Sequence, residues 1–173
     1  MSESKPPLPE PWLRGTLSEV PAVARGVLHA LELAQEDIHK WCGVLSSERI
    51  HARPSGLPSV ASQLRHIAGS VDRLVTYAEG NSLSETQLRA LKAEAEARGT
   101  TAEILAALDT AIASASKRIR ALASENLALP RAVGKKQLPT TLGGLLVHVA
   151  DHTQRHVGQA IITAKLISAS KAF

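Results

Sequence analysis

Apolar side chains recur at steps of three and four residues along four separate stretches of this sequence. In the first, Val20, Val23, Val27, Leu31, Ala34, Ile38, Trp41 and Leu45 fall on one side of a helix. The second stretch carries Val60, Leu64, Ile67, Val71, Leu74 and Val75. The third carries Ile104, Leu105, Leu108, Ile112, Ala115, Ile119 and Leu122, and the last Leu142, Leu145, Leu146, Val149, Ala160, Ala164 and Ile167. Four helices with one apolar side each can bury all of them by packing together, so the expected fold is all-α, a four-helix bundle. Aromatic residues are only 2% of the chain against 44% apolar, which leaves Leu, Val, Ile and Ala to make the core and favours helix over sheet.

Punctuation between the stretches sets the expected boundaries. Ser18 is a candidate N-cap with Pro21 in the first turn, and the first helix should run to about Leu45. Pro54, Ser55, Gly56 and Pro58 break residues 46–58, and a second helix is expected from Ser59 to Glu79, stopped by Gly80-Asn81. Residues 84–98 read as a shorter polar helix with a thin stripe, Leu88 and Leu91, ended by Gly99. Thr100 or Thr101 should cap the third main helix, with Glu103 placed for a capping box on Thr100. Residues 125–139, with Pro130, Gly134 and Pro139, read as a long connection of the kind that often lines a site. Thr140 or Thr141 should start the last helix, which reaches about Ser168. The connection 80–99 is long enough for a crossover. Residues 1–15 form a Pro-rich extension expected to lie along the domain through Trp12 and Leu13, and residues 16–173 form one domain.

Several classes of function are disfavoured. The formal charge is +4, with basic and acidic residues interleaved and no basic stripe, which argues against nucleic-acid binding. No apolar run approaches the ~20 residues of a membrane helix. Met1–Pro11 holds four prolines and no apolar core, unlike a secretion signal. The single cysteine, Cys42, falls in an apolar pattern; it reads as a small buried hydrophobe, not a catalytic thiol, and fits a reducing, cytoplasmic setting.

The chemistry lies with the histidines. His148, His152 and His156 follow one another at intervals of four, stacked turn above turn on the last helix. Two imidazoles at that spacing reach one metal ion without distorting the backbone. On the helical wheel His156 falls just inside the apolar stripe, His152 at its edge, and His148 farther out toward Arg155 and Asp151. The inward pair is therefore His152 and His156. A competing reading makes them ordinary border residues that satisfy nearby carbonyls. A metal needs a third ligand, for which His66, Cys42, Asp151 and Asp72 are candidates. His66 points away from the Leu64, Ile67 and Val71 stripe, but Ser59, Ser62, Gly69 and Ser70 around it would let another element or a ligand come close. His29 and His39 lie off their stripe and are expected in solvent; His51 lies in a break and suggests no role. Asp151 is the one carboxylate near the pair, and it faces outward.

The segment Leu142-Gly-Gly-Leu-Leu-Val-His-Val-Ala-Asp-His-Thr-Gln-Arg-His-Val-Gly-Gln159 resembles the last-helix motif of the DinB/YfiT-like metalloproteins, and Gln63-Leu-Arg-His-Ile-Ala-Gly69 resembles their second-helix segment. The resemblance implies a four-helix bundle, often a homodimer, with one divalent metal, zinc or nickel, on three histidines. Carried onto this sequence, those are His66, His152 and His156. Some such proteins are thiol transferases or isomerases using a low-molecular-weight thiol such as bacillithiol or mycothiol. The motif departs from the family where His-His-Arg-Gly-Gln is common: here it is Arg155-His156-Val157-Gly158-Gln159. Gly158 would permit close helix packing. Gln159, one turn beyond Arg155, would orient a ligand or simply meet water. Two functions stay open: a metal-dependent thiol S-transferase acting on small electrophiles, and a non-catalytic, stress-related bundle or dimer with a structural metal or none.

Overall fold

The computed structural model describes residues 8–96 and 98–170. The chain is mostly helical: α1 Ala22–Cys42, α2 Val60–Ala78, α3 Glu85–Lys92, α4 Thr101–Leu122 and α5 Leu142–Ala169, with one small sheet, β1 Pro130–Val133 and β2 Leu138–Thr141. Four helix starts follow their caps. The Ser59 hydroxyl accepts from the Ser62 amide at the head of α2, and Thr141 accepts from Gly144 at the head of α5. Thr100 and Glu103 form the expected capping box on α4, and Ser84 with Gln87 forms another on α3.

The four long helices bury their stripes on one another. Both α1 and α2 pack along α4 and α5. The core is almost wholly aliphatic, with Leu31, Ile38, Leu64, Ile67, Leu108, Ile119, Leu146 and Ile167 among its fully buried members. Each such side chain is worth roughly 1.5–3 kcal/mol of burial. Within α5, Thr153 and Val157 are buried between Val149 and Ala160, so the apolar seam runs unbroken past the histidines.

Connectivity differs from expectation. The pairs α1/α2 and α4/α5 form no such seam and stand diagonally, so segments 43–59 and 123–141 cross the assembly. The anticipated crossover, residues 80–99, joins the neighbours α2 and α4 instead. Its length goes into α3 and a 3-10 turn, Glu94–Glu96, which fold back onto α2. Residues 125–139 are not simply a loop. They carry most of the β1–β2 hairpin, which runs on to Thr141, with Ala132 opposite Pro139, and the turn uses positive φ at Gly134 (71°) and Gln137 (48°). The two prolines hid it, since proline is expected only at sheet edges, and a two-stranded sheet is all edge. The hairpin leans on the C-terminal end of α2, where Arg131 Nε donates to the Ala78 carbonyl at 2.6 Å.

Other boundaries moved for local reasons. Pro21 is itself the N-cap of α1, and Ser18 makes no cap. The helix ends at Cys42, and Leu45 reaches the core from the following turn. Trp12 and Leu13 do not anchor the N-terminal segment; both are exposed, while Pro11 is buried and Arg14 pairs with Glu32 and Glu36 of α1. Residues 1–7 of the expected extension lie outside the described residues. The turn before α1 also changes His29, which is buried, not solvated, with its Nε2 3.1 Å from Thr16 Oγ1. His39 is exposed as expected, paired with Asp109. Among the described residues, no helix is long and apolar enough to cross a membrane.

Candidate metal centre

His66 sits on the second turn of α2, and His152 and His156 sit midway along α5, the helix packed beside it. The α2–α5 seam brings the three rings together. Ring centroids of His66 and His156 lie 4.4 Å apart, and those of His152 and His156 4.5 Å apart. One ligand atom from each residue lies within 4.8 Å of the other two, a grouping that no other His, Cys, Asp or Glu of the described residues joins. A cation about 2.0–2.1 Å from each nitrogen sets them roughly 3.4 Å apart in tetrahedral geometry. Nε2 of His66 and Nε2 of His152 are already 3.2 Å apart.

Partners behind the rings decide which nitrogens are free. Glu94 Oε2 lies 2.7 Å from Nδ1 of His66. A carboxylate only accepts, so that Nδ1 carries the proton and Nε2 keeps its lone pair. Gln159 Oε1 accepts from Nδ1 of His156 at 2.7 Å, with the same consequence. Outer partners of this kind hold metal-binding imidazoles in the required tautomer. Two of the rings, those of His152 and His156, are also poised to be neutral. Burial, with the neighbouring imidazoles adding to it, pushes His152 down to about 4; burial likewise lowers His156 despite its bond to Gln159. Neutral imidazole is the form that binds metal. The donor set therefore fits a divalent ion.

Glu94 and Arg73 were not visible as site residues in the sequence, where Asp151 stood as the only nearby carboxylate. Glu94 comes from the 3-10 turn after α3 and is buried against α2. Its other oxygen takes Arg73 Nη1 at 2.5 Å, and both side chains are about 10% exposed. Burial alone would raise the Glu94 carboxyl, but the hydrogen bonds and charges of His66 and Arg73 hold it below the usual range. Gly69 makes room: a Cβ there would lie 2.5 Å from Glu94 Oε1 and 2.6 Å from Arg73 Nη1. The small residues around His66 thus admit a carboxylate from the polar turn. Arg73 follows His66 by seven residues on the same face of α2, a signal that spacing could have supplied. No spacing points to Glu94.

The remaining candidates fall away. Cys42 is fully buried on α1, its thiol pushed up to about 12 by burial. Asp72 is held by Arg118 at 2.7 Å and by Gln87 Nε2 at 2.7 Å. Asp151 takes His148 at 3.0 Å and Arg155 at 2.9 Å, which also keeps His148 outward, as the wheel expected. His51 Nε2 donates to the Gly99 carbonyl at 2.8 Å and is a tie between connections.

A family model of the DinB superfamily matches residues 30–160, a span that includes all three histidines, Arg73 and Glu94. The chain belongs to the DinB superfamily. No curated protein matches it significantly. The DinB assignment and the clustered histidines agree with a metal site, and the site is not sealed. A pocket of about 280 Å³, lined by Pro58, Ser62, Gln63 and Ala95, opens onto His66 and His156. A second, of about 560 Å³, shares Pro58, Gln63 and Gln159 with the first and continues along α5 past Gly158. Gly158 does not serve helix packing: among the described residues nothing lies within 4 Å of where a Cβ would stand.

Proposed function

We propose that this DinB-superfamily protein is a metal-binding four-helix bundle in which His66, His152 and His156 hold one divalent ion, zinc or nickel, and that the loaded site carries a thiol-dependent transfer onto small electrophiles. The observation that carries the metal reading is the commitment of Nδ1 in His66 to Glu94 and in His156 to Gln159, which leaves two Nε2 lone pairs beside the third imidazole. The open pocket beside the rings supports exchangeable positions for a thiol and its partner over a closed structural site.

A divalent ion bound there supplies positive charge that lowers the pKa of a thiol, giving thiolate at neutral pH. The chain's own part is positioning. Glu94 and Gln159 orient two imidazoles, and Arg73 keeps Glu94 ionised and pinned. Because Glu94 is fully engaged, it is an orienting group and not a proton acceptor. Among the described residues around the rings there is no other free carboxylate, which suits a reaction whose nucleophile is already a thiolate. A cytoplasmic, reducing setting is part of the proposal, as is the homodimer: exposed Trp12 and Leu13 offer apolar surface to a second copy.

Metal analysis after loading with zinc or nickel tests the ligand set. About one ion per chain is expected for the wild type and for His148→Ala, and none for His156→Ala. Unchanged metal content and melting temperature in His156→Ala would remove the site. Transfer assays with bacillithiol, mycothiol and simpler thiols then test the chemistry. Metal without transfer would favour the non-catalytic reading, and sedimentation velocity tests the dimer.

A further inference from the structure

Gly158 stands in the middle of the longest helix, where glycine costs roughly 1 kcal/mol relative to alanine, and no neighbour needs the space it leaves. What the missing side chain does provide is depth. Gly158 forms the floor of the 560 Å³ pocket, with Leu57, Pro58 and Ile162 as aliphatic walls and Arg155 at one end. Leu57 and Ile162 are 40% and 57% exposed, so nothing among the described residues covers them. The pocket meets the histidine cluster through Pro58, Gln63 and Gln159, and Gln159 is bonded directly to His156. Charge selects what could span the two. Three imidazoles would leave a divalent ion its charge, while the Glu94 carboxylate beside His66 is offset by Arg73 and Arg155 by Asp151, so the cluster end stays net positive. An anionic head therefore matches one end and an aliphatic body the other.

We infer that the site takes a molecule with an anionic, metal-ligating head and an unbranched aliphatic tail, the tail lying over Gly158 between Leu57 and Ile162. This inference rests on the metal reading above. The pocket has room for a tail of several methylenes, and Leu57, Pro58 and Ile162 give such a tail aliphatic contact.

Hydroxamates separate head from tail. Binding of acetohydroxamate and octanohydroxamate to the zinc-loaded full-length protein is measured by calorimetry, with metal content and melting temperature recorded in parallel. Half-burial of each methylene gives about a twofold gain per carbon, so the longer probe should bind about 60-fold tighter. Gly158→Leu fills the floor and should reduce that ratio to below about 5, leaving zinc content and acetohydroxamate affinity unchanged. Gly158→Ala, adding one methyl, should fall between. Acetohydroxamate binding with no gain for the longer tail, or an unchanged ratio in Gly158→Leu, would overturn the tail site and leave the metal reading standing. Loss of zinc or of acetohydroxamate binding in the wild type would overturn both. A wild-type dimer that Ile162→Glu dissociates, with octanohydroxamate no tighter than acetohydroxamate, would assign the pocket to a second copy and overturn the inference.

Discussion

Replacing Glu94 by Gln tests whether the carboxylate behind His66 organises the site or merely neutralises Arg73. The change is nearly isosteric, so packing is retained. It removes the negative charge from a pair in which Arg73 and Glu94 side chains are 10% and 11% exposed. Removing one member of a buried pair costs on the order of 3 kcal/mol, because the partner stays desolvated. For a domain of this size that is a fall of about 6–12 °C in melting temperature. The bond to His66 changes as well. An amide accepts more weakly than a carboxylate and can present its NH2 instead, which would turn the His66 tautomer and bury the Nε2 lone pair under a proton. Weakening an outer partner of a metal-bound histidine costs about 10–100-fold in metal affinity. Glu94→Gln combined with Arg73→Met separates the two effects. It no longer leaves a buried unpaired cation, so most of the lost stability should return while metal affinity stays low. Thermal melts give the first quantity, and competition with a chromogenic chelator gives the second. A Glu94→Gln protein that melts within about 2 °C of wild type and binds zinc equally well would refute the reasoning, as would a double variant that regains affinity along with stability.

Gly69→Ala should act through the same network. Its methyl group displaces the Glu94–Arg73 pair from contact distances of 2.5 and 2.6 Å, so zinc affinity should fall about tenfold although alanine favours helix; competition titration measures it. Away from the site, Glu79 is held below the usual carboxylate value chiefly by its hydrogen bonds from Arg118. A lowered folded value means the native state binds the proton less readily than the unfolded chain, so the contribution is present above the unfolded value and lost as pH falls through about 4.5 and below. Glu79→Gln should therefore melt lower than wild type at neutral pH and converge with it in acid. A gap that stays constant from neutral pH to pH ~3 would show that Glu79 contributes no proton linkage.

The structure brings His66, His152 and His156 together, and the route by which each was legible differs. His152 and His156 were placed inward by one helix alone, since a spacing of four and the position of the apolar stripe are both properties of α5. His66 was a different case. Its own helix turned it away from the stripe, and only the resemblance singled it out. The stripe of α2 faces both α4 and α5, and a residue at the edge of that wide seam still meets α5. Buried His29 failed for the converse reason: its wheel position was sound, but the segment that covers it comes from outside the helix.

Periodicity and capping residues were enough, from the sequence alone, for a mostly helical chain, for the α4 capping box, for an aliphatic core and for the inward turn of His152 and His156. Each of these depends on residues within a few turns of one another. Which helices are neighbours, the hairpin at residues 130–141, the seat of Glu94 between His66 and Arg73, and the empty floor at Gly158 were decided only by tertiary packing. Those features join residues separated by loops, and there the partner is selected by which surfaces fit together and which buried charges find each other, information that no local spacing contains.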